Sequence, residues 1–380
     1  MIHISRSAVG AAELEAMGRV MHHDGYLGMG REVRAFEAEL KAYLGGQEDR
    51  TVICVNSGTA ALHLAVAAVT SPGDEVLVQS LTFVASFQAI SAAGAVPVAC
   101  EVYPETVTLD LEDAARRITP RTRAVMPVHY ASNPGDLEAI YGFARRYGLR
   151  VIEDAAHAFG STYKGGKIGS FGDLACFSFD GLKNITSGEG GAVVTADPKV
   201  IQSVQDARLL GVQRDTEKRY QGARSWEFDV QHQGYRYHLS NLFAALGRVQ
   251  LGRFEGEFKP RRIELAQKYR TAFAGTSDRD LMLLHGDPGP IVPFMFVIRV
   301  LNGKRDGLRQ FLLARGIECG IHYKPNHLLS FYGGGREALP VTEKLYEELL
   351  TLPLHPGLAD AEIDAIIAAV VEFLSEASNS

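Results

Sequence analysis

The sequence predicts an α/β fold, with a large domain built on a mainly parallel sheet and a smaller α+β domain after it. Three observations carry this. Short apolar runs alternate with helical patterns through the N-terminal half of the chain, the sign of a parallel sheet covered by helices. Small and polar residues cluster just after several of those runs, where open α/β sheets bind ligands. From about Phe254 the alternation stops and a long helical pattern opens a different mixture of elements. A chain of 380 residues is long enough for two such domains. The expected division is residues 1–252 and 253–380.

Taken in order, residues 33–44 place Val33, Phe36, Leu40 and Tyr43 on one helical face. The turn-rich Gly25-Tyr26-Leu27-Gly28-Met29-Gly30 before them reads either as a connection or as part of a site. Residues 51–55 read as a buried strand, followed by Asn56-Ser57-Gly58-Thr59 and an apolar helix. Such a helix start either offers its free N–H groups and dipole to an anion or is simply capped by Asn or Ser. Residues 75–79 form the next strand, and Phe83 sits at the turn after it. Alone, Phe83 reads as a core aromatic. Residues 96–100 and 122–128 are further strands, with helices near 109–118 and 137–147. No strand is followed by G-x-G-x-x-G, which disfavours a dinucleotide fold.

The most informative stretch is 151–194. One apolar run ends on Glu153-Asp154. A second, residues 174–179, carries Ser178 near its end, and Lys183 lies four residues beyond it. Ser187-Gly188-Glu189-Gly190-Gly191 then leads into a third run, residues 192–194. A helix near 200–210 follows, and then a charged stretch, 213–233, too polar for core, which reads as a long surface loop. In the last part we expect helices at 260–273, 306–315, 342–350 and 359–374, and strands at 291–300 and near 318–323.

Composition narrows the function. A net charge of −6 with no large basic block gives no reason to expect nucleic-acid or anionic-membrane binding. The four cysteines are far apart and show no C-x-x-C spacing, so we expect no metal site and free thiols in a reducing compartment. The N-terminus lacks a signal-peptide core, and no apolar run reaches the roughly 18 residues of a membrane span. A cytoplasmic protein is expected.

Asp154 alone would read as a helix cap or ion-pair partner, and Lys183 alone as a solvated charge. Their spacing changes that. Glu153-Asp154-Ala155-Ala156-His157 is followed by Gly172-Asp173 and Phe177-Ser178-Phe179, then by Lys183 and Gly188-Glu189-Gly190-Gly191. The stretch resembles the DegT/DnrJ/StrS family of sugar aminotransferases. These are pyridoxal-phosphate (PLP) enzymes of the aspartate-aminotransferase fold, fold type I. Further similarities run from Gly25 to Pro356. They include His322-Tyr323-Lys324-Pro325-Asn326-His327 against the family's H-Y-x-P-x-H, and Leu352-Pro353-Leu354-His355-Pro356 against its L-P-L-H-P.

The resemblance implies a seven-stranded, mainly parallel sheet and a PLP/PMP cofactor. Lys183 would form the Schiff base with the cofactor and then move a proton as base and acid. Asp154 would keep the pyridine nitrogen protonated. His157 would lie near the ring hydroxyl and Phe83 would stack on the ring. Gly58, Thr59 and Ser178 would hold the phosphate. Tyr26, His322, Tyr323 and His327 would lie near the substrate. The family is dimeric, and an Asn in a G-Y-N-Y-R loop reaches the partner's phosphate; here Arg236 stands in its place, and His238 replaces the usual Arg. The implied reaction takes an amino group from a donor, usually glutamate, to a keto sugar, usually nucleotide-linked.

Three alternatives stand beside this reading. Lys183 argues against the family's sugar dehydratases, in which a histidine replaces it. The G-E-G-G and H-Y-x-P-x-H segments favour the sugar group over other fold-type-I enzymes. A non-enzymatic regulator on the same fold would be expected to lose Lys183 or Asp154.

Overall fold

The structure, a computed structural model, describes every residue except 47, 214, 225, 275–279, 285–290, 334–337 and 379–380. Its first nine strands are β1 (Thr51–Val55), β2 (Glu75–Gln79), β3 (Val96–Cys100), β4 (Thr122–Met126), β5 (Arg150–Asp154), β6 (Thr162–Tyr163), β7 (Gly166–Lys167), β8 (Leu174–Ser178) and β9 (Gly191–Thr195). All but β6 and β7, which make a small hairpin, join one seven-stranded sheet in the order β1-β9-β8-β5-β4-β2-β3. Its seven members are the seven runs the sequence marks out. Six of its strands run the same way, five of them paired directly in parallel, and β9 alone runs against both of its neighbours, β1 and β8. That reversal brings Gly191, at the start of β9, beside Val55 and Ser178 at the carboxyl ends of β1 and β8.

Among the described residues, nine α-helices belong to this part: α1 (Ala11–Arg19), α2 (Arg31–Leu44), α3 (Gly58–Val69), α4 (Val84–Ala92), α5 (Leu111–Arg116), α6 (Leu137–Tyr147), α7 (Pro198–Ala207), α8 (Asp215–Tyr220) and α9 (Asn241–Arg253). Helix α2 buries Val33, Phe36, Leu40 and Leu44 on one face, as its period requires. Helix α3 is apolar all round and buries Ala60 through Val66, because it lies between the sheet and its neighbours α4 and α7. Strand β2 is buried on both faces, the pattern of a parallel sheet covered twice.

After Arg253 the chain does not leave the helix. A wide turn of helix, Phe254–Phe258, runs directly into α10 (Lys259–Phe273), so the expected division at 252/253 falls inside one continuous helical rod. Phe254 and Phe258 still pack in the large core, whereas Leu265, Tyr269 and Phe273 pack in the smaller one. The smaller part holds a three-stranded antiparallel sheet, β10 (Leu281–Leu283), β11 (Phe296–Val300) and β12 (Leu349–Leu352), with α11 (Arg305–Ala314), α12 (Pro340–Glu348) and α13 (Asp360–Ser378). No helix among the described residues is long and apolar enough to cross a membrane.

Three expectations are corrected here. No strand forms near 318–323: Ile317 and Gly320 make only isolated bridges, to Ile2 and Thr351. The third strand is instead β12. The chain leaves the helix at Leu349, which is extended, because the buried run Leu349–Leu352 pairs with β11. The charged stretch 213–233 is not all surface loop either. Helix α8 buries Asp215 and Thr216, and the Tyr220 hydroxyl hydrogen-bonds to Glu37 and Arg208.

Candidate active site

The carboxyl ends of β1, β5 and β8 and the starts of α3 and α4 converge on a cavity of about 360 Å³. At the start of α3, Ser57 is the cap: its Oγ accepts from the Ala60 N–H at 3.0 Å. The first N–H groups of a helix have no partner within it, so those of Gly58 and Thr59 are left for an anion, with the helix dipole behind them. Close approach dictates the small residues. A Cβ on Gly58 would lie 2.7 Å from Ser178 Cβ, and one on Gly191 would lie 2.5 Å from the Ser57 carbonyl oxygen. Helix α3 and strands β8 and β9 meet there with no room for a side chain.

Asp154 ends β5 on the cavity floor. Its carboxylate accepts from Ser86 Oγ at 2.7 Å and from the Ala156 N–H at 3.2 Å. Burial pushes its pKa up, against the pull of those two donors and of nearby Lys183 and His129. Lys183 sits opposite, in the turn after β8, its N–H bonded to the Asp180 carbonyl at 3.1 Å. Burial lowers the pKa of its amine to about 8, opposed by Asp180 and Asp154. Its Nζ lies 4.3 Å from the centre of the Phe294 ring.

His157 stacks on the same Phe294 ring, with the ring centres 4.4 Å apart and the planes inclined by 22°. Burial holds it neutral, helped by the charge of Lys183. Its Nε2 meets the Tyr323 hydroxyl at 3.4 Å, and its Nδ1 has no partner among the described residues. His322 bonds Thr351 through Nδ1 at 2.8 Å, and burial lowers its pKa to about 4. Phe83, at the start of α4, remains 53 % exposed at the cavity mouth, facing Tyr323 at 5.4 Å. A large apolar face so exposed at a pocket is a platform for a flat ring.

Gly58, Thr59, Phe83, Asp154, His157, Ser178, Lys183, His322 and Tyr323 all line this cavity. Three residues singled out in the sequence do not. His327 is buried behind it, with Nδ1 on Ser80 Oγ (2.8 Å) and Nε2 on Glu343 (3.1 Å), so both ring nitrogens are used in packing. Tyr26 is held away from it, where its carbonyl accepts from Asn241 Nδ2 at 2.9 Å. Arg236 is exposed on a loop beside β1. Conversely, Ser86 and Phe294 touch the central residues and were not singled out. A serine in a helical turn and an apolar residue before a strand carry no signal of their own; the only cue to Ser86 was its place one turn after Phe83.

These parts fit PLP: an anion cradle too tight for a Cβ, a half-open aromatic face, a buried carboxylate and a buried amine at one cavity. The profile of the DegT/DnrJ/EryC1/StrS aminotransferase family matches residues 8–371. The chain belongs to that family. This aminotransferase is 37% identical, over 96% of its length and 95% of the other's, to a dTDP-4-dehydro-2,3,6-trideoxy-D-glucose 4-aminotransferase of Saccharopolyspora spinosa. It superposes on the aminotransferase TlmJ of Streptoalloteichus hindustanus with a TM-score of 0.90, 34% identity and all of both chains covered. It superposes equally, at a TM-score of 0.90 and 28% identity, on Spr1654 of Streptococcus pneumoniae in its PMP form, covering 99% of this chain and 100% of the other. Spr1654 also has a PLP form. The aminotransferase is therefore a PLP-dependent enzyme of fold type I.

Proposed function

We propose that this aminotransferase carries an amino group from glutamate to a keto sugar borne on a nucleoside diphosphate, in the cytoplasm, for amino-sugar biosynthesis. The observation that carries the reading is the joining of Lys183 and Asp154 in one cavity of a chain whose relative over nearly its full length acts on a dTDP-keto sugar. We assign Gly58, Thr59 and Ser178 to the cofactor phosphate, Phe83 to the ring face, Asp154 to the ring nitrogen and His157 to the ring hydroxyl. When bound, PLP supplies an aldehyde that takes up the amino group and a ring that withdraws electrons from the adjacent carbon. Lys183 Nζ, with a pKa lowered to about 8, can take up and return a proton near neutral pH. His322 and Tyr323 form the wall beyond it, facing the substrate. Together with the enclosing apolar residues, they keep water from the exchange. The enzyme acts as a homodimer whose two sites each borrow a loop from the partner.

The test incubates PLP-loaded protein with glutamate and a panel of nucleotide-linked keto sugars, with products read by mass spectrometry. An amino sugar should appear together with 2-oxoglutarate, and Lys183→Ala should abolish both. Turnover by Lys183→Ala near the wild-type rate, or glutamate conversion with no sugar accepted, would overturn the assignment.

A further inference from the structure

Phe294 and Met295 line the cavity just before β11, and four polar side chains fix the backbone of residues 292–294 there. Val292 donates its N–H to Ser161 Oγ (2.9 Å), and its carbonyl accepts from Asn184 Nδ2 (3.2 Å), the chain neighbour of Lys183. Phe294 donates its N–H to Ser132 Oγ (2.9 Å). The same Ser132 hydroxyl donates to the His157 carbonyl, so one side chain sets the spacing of two stacked rings. From below, the buried guanidinium of Arg262 donates to the carbonyls of Pro293 (3.3 Å) and Phe294 (3.1 Å). The Phe294 ring is thus clamped, with His157 against it and Lys183 Nζ 4.3 Å from its centre.

Any apolar side chain would close this wall. Only an aromatic face also attracts a cation, and it does so most strongly where water is excluded. Lys183 makes no ion pair among the described residues, so this ring is its near partner. We propose that Phe294 is a catalytic residue: the binding face on which the Lys183 ammonium rests whenever Nζ is not covalently engaged. The inference rests on the role given to Lys183 above and adds a site for its free state.

The choice of an aromatic partner has a chemical reason. Burial favours the neutral amine, while Asp180 and Asp154 favour the charged one. The other ionisable groups around Nζ are kept neutral by burial: His157, His322 and Tyr323. A carboxylate in direct contact would hold the ammonium as an ion pair and oppose its return to work. A ring face stabilises the charge more weakly and without hydrogen bonds, so the amine stays free to swing back.

The test measures the Lys183 amine pKa in cofactor-free protein by nitrogen-15 NMR, its signal assigned with Lys183→Arg. Phe294→Leu should lower that pKa by about 0.4 to 1.5 units, the equivalent of one buried cation–π contact. Phe294→Tyr, which keeps the face, should leave it in place. Replacing the Phe294 ring by its pentafluoro analogue keeps shape and packing but reverses the ring's charge distribution, and should lower the pKa as Phe294→Leu does. That arm also covers a failure of Phe294→Leu to fold. An unchanged or raised pKa in the fluorinated protein would overturn the proposal. Because the measurement uses neither substrate nor turnover, its failure is distinct from failure of the sugar-aminotransferase reading.

Discussion

Asp154 occupies surroundings that oppose its own charge. Burial raises its pKa, and the Ser86 hydroxyl and Ala156 N–H are the hydrogen bonds that hold it down. The role we propose for Asp154, pairing with a protonated ring nitrogen, needs the carboxylate ionised, and these donors favour that form. Asp154→Asn should therefore cost about a hundredfold or more in turnover, as removal of a positioned electrostatic partner does. Ser86→Ala should act more subtly. Losing a donor to the charged form raises the carboxylate's pKa further, so the acid limb of kcat/KM against pH should move to higher pH. An acid limb that stays put would leave Ser86 a packing hydroxyl. That Asp154, Lys183 and Ser178 would meet at one cavity was legible in the sequence because their spacing is specific as a set. Ser86 was not: its partner lies 68 positions away, and nothing local requires the pair.

At the scale of elements, the large sheet was legible because its strands are short runs, most of them buried along nearly their whole length; the edge strand β3 opens to solvent at its start. The strands of the smaller sheet were harder. Leu349–Leu352 continues a helical pattern from α12 and becomes a strand only because β11 offers a free edge. The antiparallel course of β9 was not legible either, yet it decides the cradle. It brings Gly191 against the Ser57 carbonyl while β8 brings Ser178 against Gly58. Gly58→Ala tests this convergence. Its Cβ would sit 2.7 Å from Ser178 Cβ, so α3 must back away from β8. Overpacking of this kind costs about 1–3 kcal/mol, and since the displaced atoms are the N–H groups we assign to the cofactor phosphate, PLP affinity should fall about tenfold or more. An absorbance titration with PLP measures it; wild-type affinity would remove Gly58 and Thr59 from the phosphate site.

The whole molecule raises the question of what Arg236 does. The loop that carries it is stiff. The Asn56 N–H donates to the Tyr237 carbonyl at 2.7 Å, Asn56 Nδ2 donates to the Arg236 carbonyl at 3.3 Å, and His238 bridges to Val55. Tyr235 and Tyr237 stack at 4.9 Å, and the Tyr237 hydroxyl meets His63 Nδ1 at 3.3 Å. A backbone so fixed holds the Arg236 side chain outward, exposed, outside the cavity of its own chain. An arginine fork suits a phosphate at least as well as the amide the family carries there. We therefore expect Arg236 to serve the cofactor phosphate of a partner subunit. The expectation can be separated from a local role by complementation. Lys183→Ala and Arg236→Glu should each be inactive alone. Unfolded and refolded together, they should form mixed dimers in which one site takes Lys183 from one chain and Arg236 from the other, both wild-type. With random pairing, half the dimers are mixed and one of their two sites is intact, so activity should recover to about a quarter of the wild-type level. No recovery from a mixture shown to contain mixed dimers would place Arg236 in its own subunit. Full activity in a monomeric wild-type protein would dismiss the shared site altogether.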